Sequence, residues 1–127
     1  MEVLKSWGHD VVDVGAHDES AVDYPDFAEA AAREVVEGRC ERAVVVCGSG
    51  IGACISANKV AGIRAAHCHD PYSAQLSRAH NDANAIALGA RMVGPAMAAE
   101  TVRVWLETPF EGGRHQRRID KISALEK

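Results

Sequence analysis

The sequence has few aromatic residues and no long hydrophobic run. Phe, Trp and Tyr account for 5% of its 127 residues. No apolar stretch approaches the roughly 20 residues that a membrane-spanning helix requires, so the sequence predicts no membrane protein. The N-terminal segment lacks the basic and apolar regions of a signal peptide, and we therefore expect a cytoplasmic location.

Positive charge and paired cysteines are scarce as well. The formal net charge is −4, which argues against the basic surface that nucleic acids or anionic membranes require. The four cysteines contain no Cys-x-x-Cys pair, and we expect reduced thiols rather than disulfides. With a hydrophobic content of 47%, residues 1–127 are long enough for one globular domain and too short for two.

Short apolar runs alternate with helical patterns along the chain, and this order predicts an α/β fold. We expect a Rossmann-like three-layer sandwich, in which helices cover both faces of a parallel sheet. The chain opens on a half-helix with no strand before it, although βα folds usually begin with a strand. The predicted strands are residues 10–15, 43–47, 63–68 and 84–89, and the predicted helices are residues 25–38, 53–59, 71–80, 95–107 and 114–127.

The loop after the 43–47 strand carries the strongest local signal. A strand, GSGIG (residues 48–52) and a helix follow one another, an order that turns main-chain N–H groups toward an anion. The loop lacks the Lys-Ser/Thr of a P-loop, and Ala53 stands where a dinucleotide fingerprint has glycine. A tight turn without a ligand is the alternative. The position of Cys47 favours a ligand-binding site, because ligands bind outside the carboxyl ends of parallel strands. A thiol beside free N–H groups and a helix N-terminus is also more readily deprotonated.

Three segments of the sequence resemble the ribose-5-phosphate isomerase B and galactose-6-phosphate isomerase family. They are CGSGIGACISANKVAGIRAA, DPYSAQLSRAHNDANAIALGARMVG and FEGGRHQRRIDKI, in the family's order and spacing. The resemblance implies an isomerase without a metal or nucleotide cofactor, acting on a small sugar phosphate. It also implies a homodimer or homotetramer with active sites shared between subunits. We expect the C-terminal helix, residues 114–126, at such an interface.

The resemblance assigns the central chemistry to the glycine loop. It implies that Cys47 removes the proton from C2 of the open-chain sugar, and that Ser49 helps to move a proton between O1 and O2. Some relatives carry a glutamate further into the loop, but Ala53 occupies that position here. The amides implied to stabilise the enediolate are those of Gly48, Gly50, Ile51 and Gly52.

The resemblance also assigns residues outside the loop. His80 matches the group that opens the furanose ring, and Asn81 matches a contact to the sugar oxygens. Arg91, Arg114 and Arg118 match phosphate-binding arginines, whose planar guanidinium groups suit that task. The family's first strand and its Asp-His-Ala-Gly loop have no counterpart in the sequence. We expect either a start site placed too late or a variant that lacks part of its active site.

These features predict an enzyme that converts ribose 5-phosphate to ribulose 5-phosphate through a cis-enediolate, with Cys47 as the base. Two other functions stay open. One is a non-catalytic sugar-phosphate-binding module or an inactive subunit of a hetero-oligomeric isomerase. The other is a thiol redox protein that uses Cys47, although no resolving cysteine lies nearby in the sequence. The sequence does not choose among ribose, allose and galactose phosphates.

Several side chains outside these motifs have simpler interpretations. His67 and His69 have the ligand type of a zinc site, but a polar strand exit is the more ordinary interpretation. His115 is more typical of a solvated or partner-facing residue than of a catalytic one. Core-like spacing predicts that three further residues are packed inside the protein: Met92, Met97 and Trp105.

Overall fold

The computed structural model describes residues 2–15 and 23–126 and shows an α/β fold. Strands and helices alternate along the chain, as predicted. The strands are β1 (Ala43–Cys47), β2 (Ala65–His67) and β3 (Ala85–Gly89). The helices are α1 (Glu2–Ser6), α2 (Tyr24–Val36), α3 (Ile51–Asn58), α4 (Pro71–Asn81), α5 (Pro95–Glu107) and α6 (Arg114–Ser123).

The three strands form a parallel sheet in the order β1–β3–β2. The central strand, β3, is buried along its whole length, as expected of a parallel strand that is covered on both faces. The register places Cys47 beside Gly89 and His67 beside Ala87. The carboxyl ends of the strands therefore meet at one side of the sheet, which we call the carboxyl edge.

Helices cover both faces of the sheet, which confirms the three-layer arrangement. On one face, alanines such as Ala32 of α2 and Ala57 of α3 let both helices lie close to the strands. On the other face, α4 and α5 cover the sheet, and fully buried Trp105 packs in one cluster with Ile86 and Leu88. Burial of this indole confirms that Trp105 is a core residue.

Residues 10–15 do not form the predicted strand. Their backbone is irregular, and Gly15 N donates to the carboxylate of Asp13 at 3.0 Å. A strand requires a neighbour with which to exchange hydrogen bonds, and in the described ranges β1 pairs with β3 alone. Val12 is accordingly 55% exposed, although its alternating pattern is that of a strand.

The two methionines predicted to be core residues lie at the surface. Met92 is 61% exposed and Met97 is 47% exposed. Met92 belongs to the turn after β3, where helical spacing has no meaning. The buried stripe of α5 runs through Thr101 and Trp105, and Met97 lies in the first turn of the helix before that stripe.

The other boundaries differ from the predictions by a few residues. β2 is shorter than the predicted strand at 63–68, and α6 ends at Ser123 rather than at residue 127. None of the helices that the structure describes combines the length and the apolar character needed to cross a membrane.

Candidate active site

Cys47 lies at the carboxyl edge as the last residue of β1. Its side chain is partly buried, and its Sγ accepts a hydrogen bond from the main-chain N–H of Gly50 at 3.1 Å. The sulfur therefore contacts the loop that follows it, while the side chain also packs against the core cluster that contains Val45 and Ala53.

Gly50 is required in the glycine loop for steric reasons. Gly50 has φ of 81°, and a Cβ there would lie 2.7 Å from the carbonyl carbon of Leu88. A Cβ on Gly52 would lie 2.3 Å from the ring of Tyr24, so this tyrosine covers the loop from α2. The loop leads directly into α3, where Ile51 N donates to Ser49 Oγ at 3.2 Å. The hydroxyl of Ser49 thus lies at the N-terminus of that helix.

The end of β3 forms the second wall of this site. A Cβ on Gly89 would lie 2.4 Å from the carbonyl carbon of Ser49, so the two backbones touch. Main-chain hydrogen bonds join the segments further: Arg91 N donates to Gly48 O at 3.0 Å. The exposed guanidinium of Arg91 lies over Gly48, 3.6 Å from where a Cβ would stand. It offers a cation beside the glycine loop.

Two histidines at the end of β2 bond to the main chain of both walls. His67 Nε2 lies 2.8 Å from Ser49 O, and His69 Nε2 accepts the N–H of Gly89 at 3.0 Å. Their rings meet edge to face with centroids 4.4 Å apart. Burial lowers the pKa of His69, and the neighbouring His67 lowers it further. Because both Nε2 atoms are engaged with the main chain, the geometry does not favour the zinc interpretation of this pair.

α4 carries the chain from the carboxyl edge to the opposite side of the sheet. It begins at Pro71, just after β2, and ends at Asn81, just before β3. Its 11 residues span about 16 Å at 1.5 Å per residue. The carbonyl of Asn81 accepts a hydrogen bond at 3.0 Å from Arg64 Nε, and Arg64 directly precedes β2. His80 and Asn81 therefore lie at the amino ends of the strands, opposite Cys47.

The N-terminus of α6 lies at that same side. Glu111 N donates to the carbonyl of Ala79 in α4 at 3.0 Å. Arg114 and Arg118 follow in α6, both exposed and one turn apart, so their side chains share a face. This arrangement offers two cations close to the end of α4.

His80 and His115 form a stacked pair. Their ring centroids are 4.3 Å apart and their planes differ by 12°. Glu111 faces both rings, with its carboxylate 4.0 Å from His80 Nε2 and 3.5 Å from His115 Nε2. Of the two predicted alternatives for His115, the solvated one is wrong, because the residue is 8% exposed and its ring stacks on His80. A local signal for this burial exists, because His115 lies four residues before Ile119, on the face of α6 that is buried against α4.

Within the described residues, His80, Glu111 and His115 are the group whose possible ligand atoms come within 4.8 Å of one another. Metal-binding side chains converge on an ion from different directions, whereas these two rings are stacked and nearly parallel. A carboxylate beside two imidazoles is also suited to proton transfer near neutral pH. The geometry therefore favours acid–base chemistry at this group.

The predicted site residues thus form two groups in one chain. The first, at the carboxyl edge, we call the thiol end: Cys47, Gly48, Ser49, Gly50, Ile51, Gly52 and Arg91. The second, at the amino ends of the strands, we call the histidine end: His80, Asn81, Glu111, Arg114, His115 and Arg118. The distance between the two ends, which is set by the length of α4, is greater than the length of a pentose phosphate. Of these residues, Glu111 and His115 were not predicted as part of a site.

Comparison with known proteins assigns a family. The ribose/galactose isomerase family matches residues 1–122. A putative sugar phosphate isomerase of Bacillus subtilis is 54% identical over 106 residues, which cover 84% of this chain and 71% of the relative. Ribose-5-phosphate isomerase B of Escherichia coli is 47% identical over 119 residues, covering 94% of this chain and 80% of the relative.

Solved structures agree with this assignment. Ribose-5-phosphate isomerase B of Clostridium thermocellum superposes with a TM-score of 0.97 at 50% identity, covering 98% of this chain and 84% of that one. The Mycoplasma genitalium enzyme with bound ribulose-5-phosphate gives a TM-score of 0.94 at 42% identity, with the same two coverages of 98% and 84%. These similarities confirm the Rossmann-like α/β fold. The chain belongs to the ribose/galactose isomerase family.

Proposed function

We propose that this isomerase interconverts ribose 5-phosphate and ribulose 5-phosphate, with Cys47 as the base. The observation that carries the proposal is the position of Cys47 Sγ, 3.1 Å from the Gly50 N–H in a loop of closely packed glycines. The relatives named ribose-5-phosphate isomerase B, and the ribulose-5-phosphate complex among them, support this choice of substrate.

The reaction moves one carbonyl group between neighbouring carbons. The Cys47 thiolate takes the proton from C2 of the open-chain aldose, and the electron pair of that C–H bond forms the C1–C2 double bond of the enediolate. The protonated thiol then returns the proton to C1, which leaves the carbonyl at C2. Ser49 moves the hydroxyl proton from O2 to O1, so atoms and charges balance. General acid–base catalysis of this kind contributes about a hundredfold to ten-thousandfold in rate.

Main-chain donors of the glycine loop stabilise the enediolate in this scheme. The amides of Gly48, Gly50, Ile51 and Gly52 belong to a loop whose backbone is held by contacts with β3, so they need little reorganisation when charge develops. Preorganised donors of this type lower a barrier by about 2.7–4 kcal/mol each. Arg91, whose guanidinium lies over Gly48, adds a cation at the same end.

Ring opening and phosphate binding require the histidine end of a second copy. His80 has the imidazole that suits ring opening, Asn81 offers an amide to the sugar oxygens, and Arg114 and Arg118 offer a pair of guanidinium groups for the phosphate. Because α4 separates these residues from Cys47 in one chain, one ligand reaches both groups only where two chains meet. We therefore propose a homodimer, or a homotetramer built from it, with α6 at the subunit interface.

The proposed location is the cytoplasm. The cysteines of the described chain, including Cys47, are free, which suits a reducing compartment. The base in this proposal is a thiolate, and a reducing environment protects a thiolate from oxidation.

Exchange of the C2 proton tests the proposal directly. Ribose 5-phosphate is incubated with the protein in deuterated water, and loss of the C2 proton signal is followed by NMR. We expect exchange that is lost in Cys47→Ala and kept in Cys54→Ala. Cys54 is the matched control because it lies in α3, directly after the glycine loop, and burial raises the pKa of its thiol.

Other outcomes identify other functions. Tight binding of the sugar phosphate without exchange indicates a binding module or an inactive subunit. Oxidant consumption at Cys47 without any effect of sugar indicates a redox protein. Faster exchange with erythrulose 4-phosphate or galactose 6-phosphate keeps the isomerase but changes its substrate; a relative named D-erythrulose-4-phosphate isomerase is 50% identical over 103 residues.

A further inference from the structure

The proposed mechanism leaves one close contact at the thiol end without a role. His67 is exposed at the end of β2, yet its Nε2 lies 2.8 Å from the carbonyl oxygen of Ser49, which is 18 residues away in the sequence. A carbonyl oxygen only accepts hydrogen bonds, so His67 must carry its proton on Nε2 and donate it to Ser49.

The carbonyl of Ser49 and the N–H of Gly50 belong to one peptide group. In a trans peptide these two bonds point in opposite directions in one plane. His67 donates to the oxygen at one edge of the peptide group, and Cys47 Sγ accepts the N–H at the opposite edge at 3.1 Å. The contact with His67 thus determines the direction in which the Gly50 N–H points.

This peptide requires an external contact because glycine does not fix it. Reversing the peptide between Ser49 and Gly50 changes ψ of the first residue and φ of the second. Gly50 has φ of 81°, and glycine adopts the opposite sign of φ about as readily. In the reversed orientation the carbonyl oxygen, and not the N–H, would face the sulfur and the developing enediolate.

His69 supports the same arrangement from the other wall. Its Nε2 accepts the N–H of Gly89 at 3.0 Å, and its ring packs edge to face against His67. Gly89 in turn touches the carbonyl carbon of Ser49. The ring of His67 is therefore held between a second histidine and the peptide that it binds.

We propose that His67 is a positioning residue for catalysis, which holds the Ser49–Gly50 peptide so that the Gly50 N–H faces Cys47 and the enediolate. His67 acts through the peptide and does not touch the substrate. This inference rests on the proposed function for its effect on turnover, but the effect on the peptide itself is independent of any substrate.

Three variants test the proposal. His67→Leu fills a similar volume without a donor, whereas His67→Gln places an amide N–H at the reach of Nε2. His9→Leu is the matched control, since His9 is an exposed histidine beside Leu106 and Glu107 at the end of α5, away from the thiol end. We expect His67→Leu to lower kcat for ribose 5-phosphate roughly tenfold to a hundredfold with KM nearly unchanged. The Gly50 N–H stabilises the charge of the transition state more than it stabilises bound substrate, so its misorientation mainly affects kcat.

The conservative variant and two substrate-free measurements complete the test. His67→Gln should restore kcat to within about threefold of the unsubstituted protein, because the amide N–H again donates to the Ser49 carbonyl. In His67→Leu, the Gly50 amide should exchange with deuterium faster, and iodoacetamide should modify Cys47 more slowly. If His67→Leu does not fold, His67→Asn replaces it, since its shorter side chain does not reach Ser49.

The results separate the two proposals. Unchanged kcat, unchanged Gly50 exchange and unchanged Cys47 alkylation in His67→Leu would each overturn the positioning role. Equal loss in His67→Leu and His67→Gln would also overturn it, because it would indicate a purely structural effect of the substitution. If the unsubstituted protein has no isomerase activity, the proposed function fails, while the exchange and alkylation rates still decide the role of His67.

Discussion

The thiol end and the histidine end are built in different ways. At the thiol end, backbone touches backbone: Gly89 lies against Ser49, and Gly50 lies against Leu88. At the histidine end, side chains extend from two helices, and Arg114 and Arg118 are exposed to solvent. One end is crowded and fixed by main-chain contacts, whereas the other presents charge on long flexible side chains.

This difference matches what each half of the reaction requires. An enediolate needs donors that are already in place, and main-chain amides held by tight packing provide them. A phosphate needs charge and bidentate hydrogen bonds, which arginine provides even from an exposed position. In the proposed mechanism each end alone is half of a site, and the separation along α4 is the reason that we propose a second chain.

A methyl group at the contact between the two walls should have the largest effect. Gly89→Ala places a Cβ 2.4 Å from the carbonyl carbon of Ser49, and backbone cannot move aside cheaply. We expect a loss of about 2–3 kcal/mol in the free energy of unfolding and a loss of isomerase activity. Thermal unfolding and turnover measure both.

Gly94→Ala is the matched control for that substitution. Gly94 has an ordinary negative φ, and no atom lies within 4 Å of its hypothetical Cβ. Gly94 is the N-cap of α5, where alanine is less favourable than glycine, so the free energy of unfolding should fall by at most about 1 kcal/mol. Equal stability of the two variants would show that the walls of the thiol end are not tightly packed.

Removing one cation from the histidine end should have an intermediate effect, confined to binding. Arg118→Met should raise KM for ribose 5-phosphate roughly tenfold to a hundredfold, because a hydrogen bond to a charged group is worth about 1.5–3 kcal/mol. Arg117→Met, the neighbouring exposed cation, should leave KM within about twofold. A fall in kcat without a change in KM for Arg118→Met would contradict its role as a phosphate ligand.

The smallest expected effect concerns pH at the thiol end. Burial lowers the pKa of His69 from its ordinary value of 6.5, so this histidine binds a proton less readily in the folded protein than in the unfolded chain. The contribution of this group to stability is therefore present above that value, and it is lost as the pH falls toward the lowered pKa. Tm should decline more steeply between about pH 8 and about pH 5 for the parent than for His69→Asn. Parallel declines would show that burial does not lower the pKa of His69.

The sequence predicted those features that depend on neighbouring residues. Prolines mark the starts of α4 and α5, and a run of β-branched residues marks β1. The glycine loop was predictable for the same reason, because Cys47 and its amide donors are contiguous in the chain. The family resemblance supplied the roles of distant residues but not their distribution over two ends.

The features that the sequence did not predict depend on contacts between distant segments. His67 reaches Ser49 across 18 residues, and His69 reaches Gly89 across 20. Helical periodicity places His115 on the same face as Ile119, but it does not reveal that α4 covers this face and that His80 stacks on the ring. Residues 10–15 have a strand-like pattern, but pattern alone does not provide the neighbouring strand that hydrogen bonding requires.

A mixture of two inactive variants tests the central claim most directly. Cys47→Ala disables the thiol end and His80→Ala disables the histidine end, so each protein alone should be inactive. If every site joins the thiol end of one chain to the histidine end of another, equal co-expression should give mixed dimers with one intact site. The expected activity is then about a quarter of that of the unsubstituted protein. A mixture that stays inactive, although mixed dimers form, would contradict the shared site.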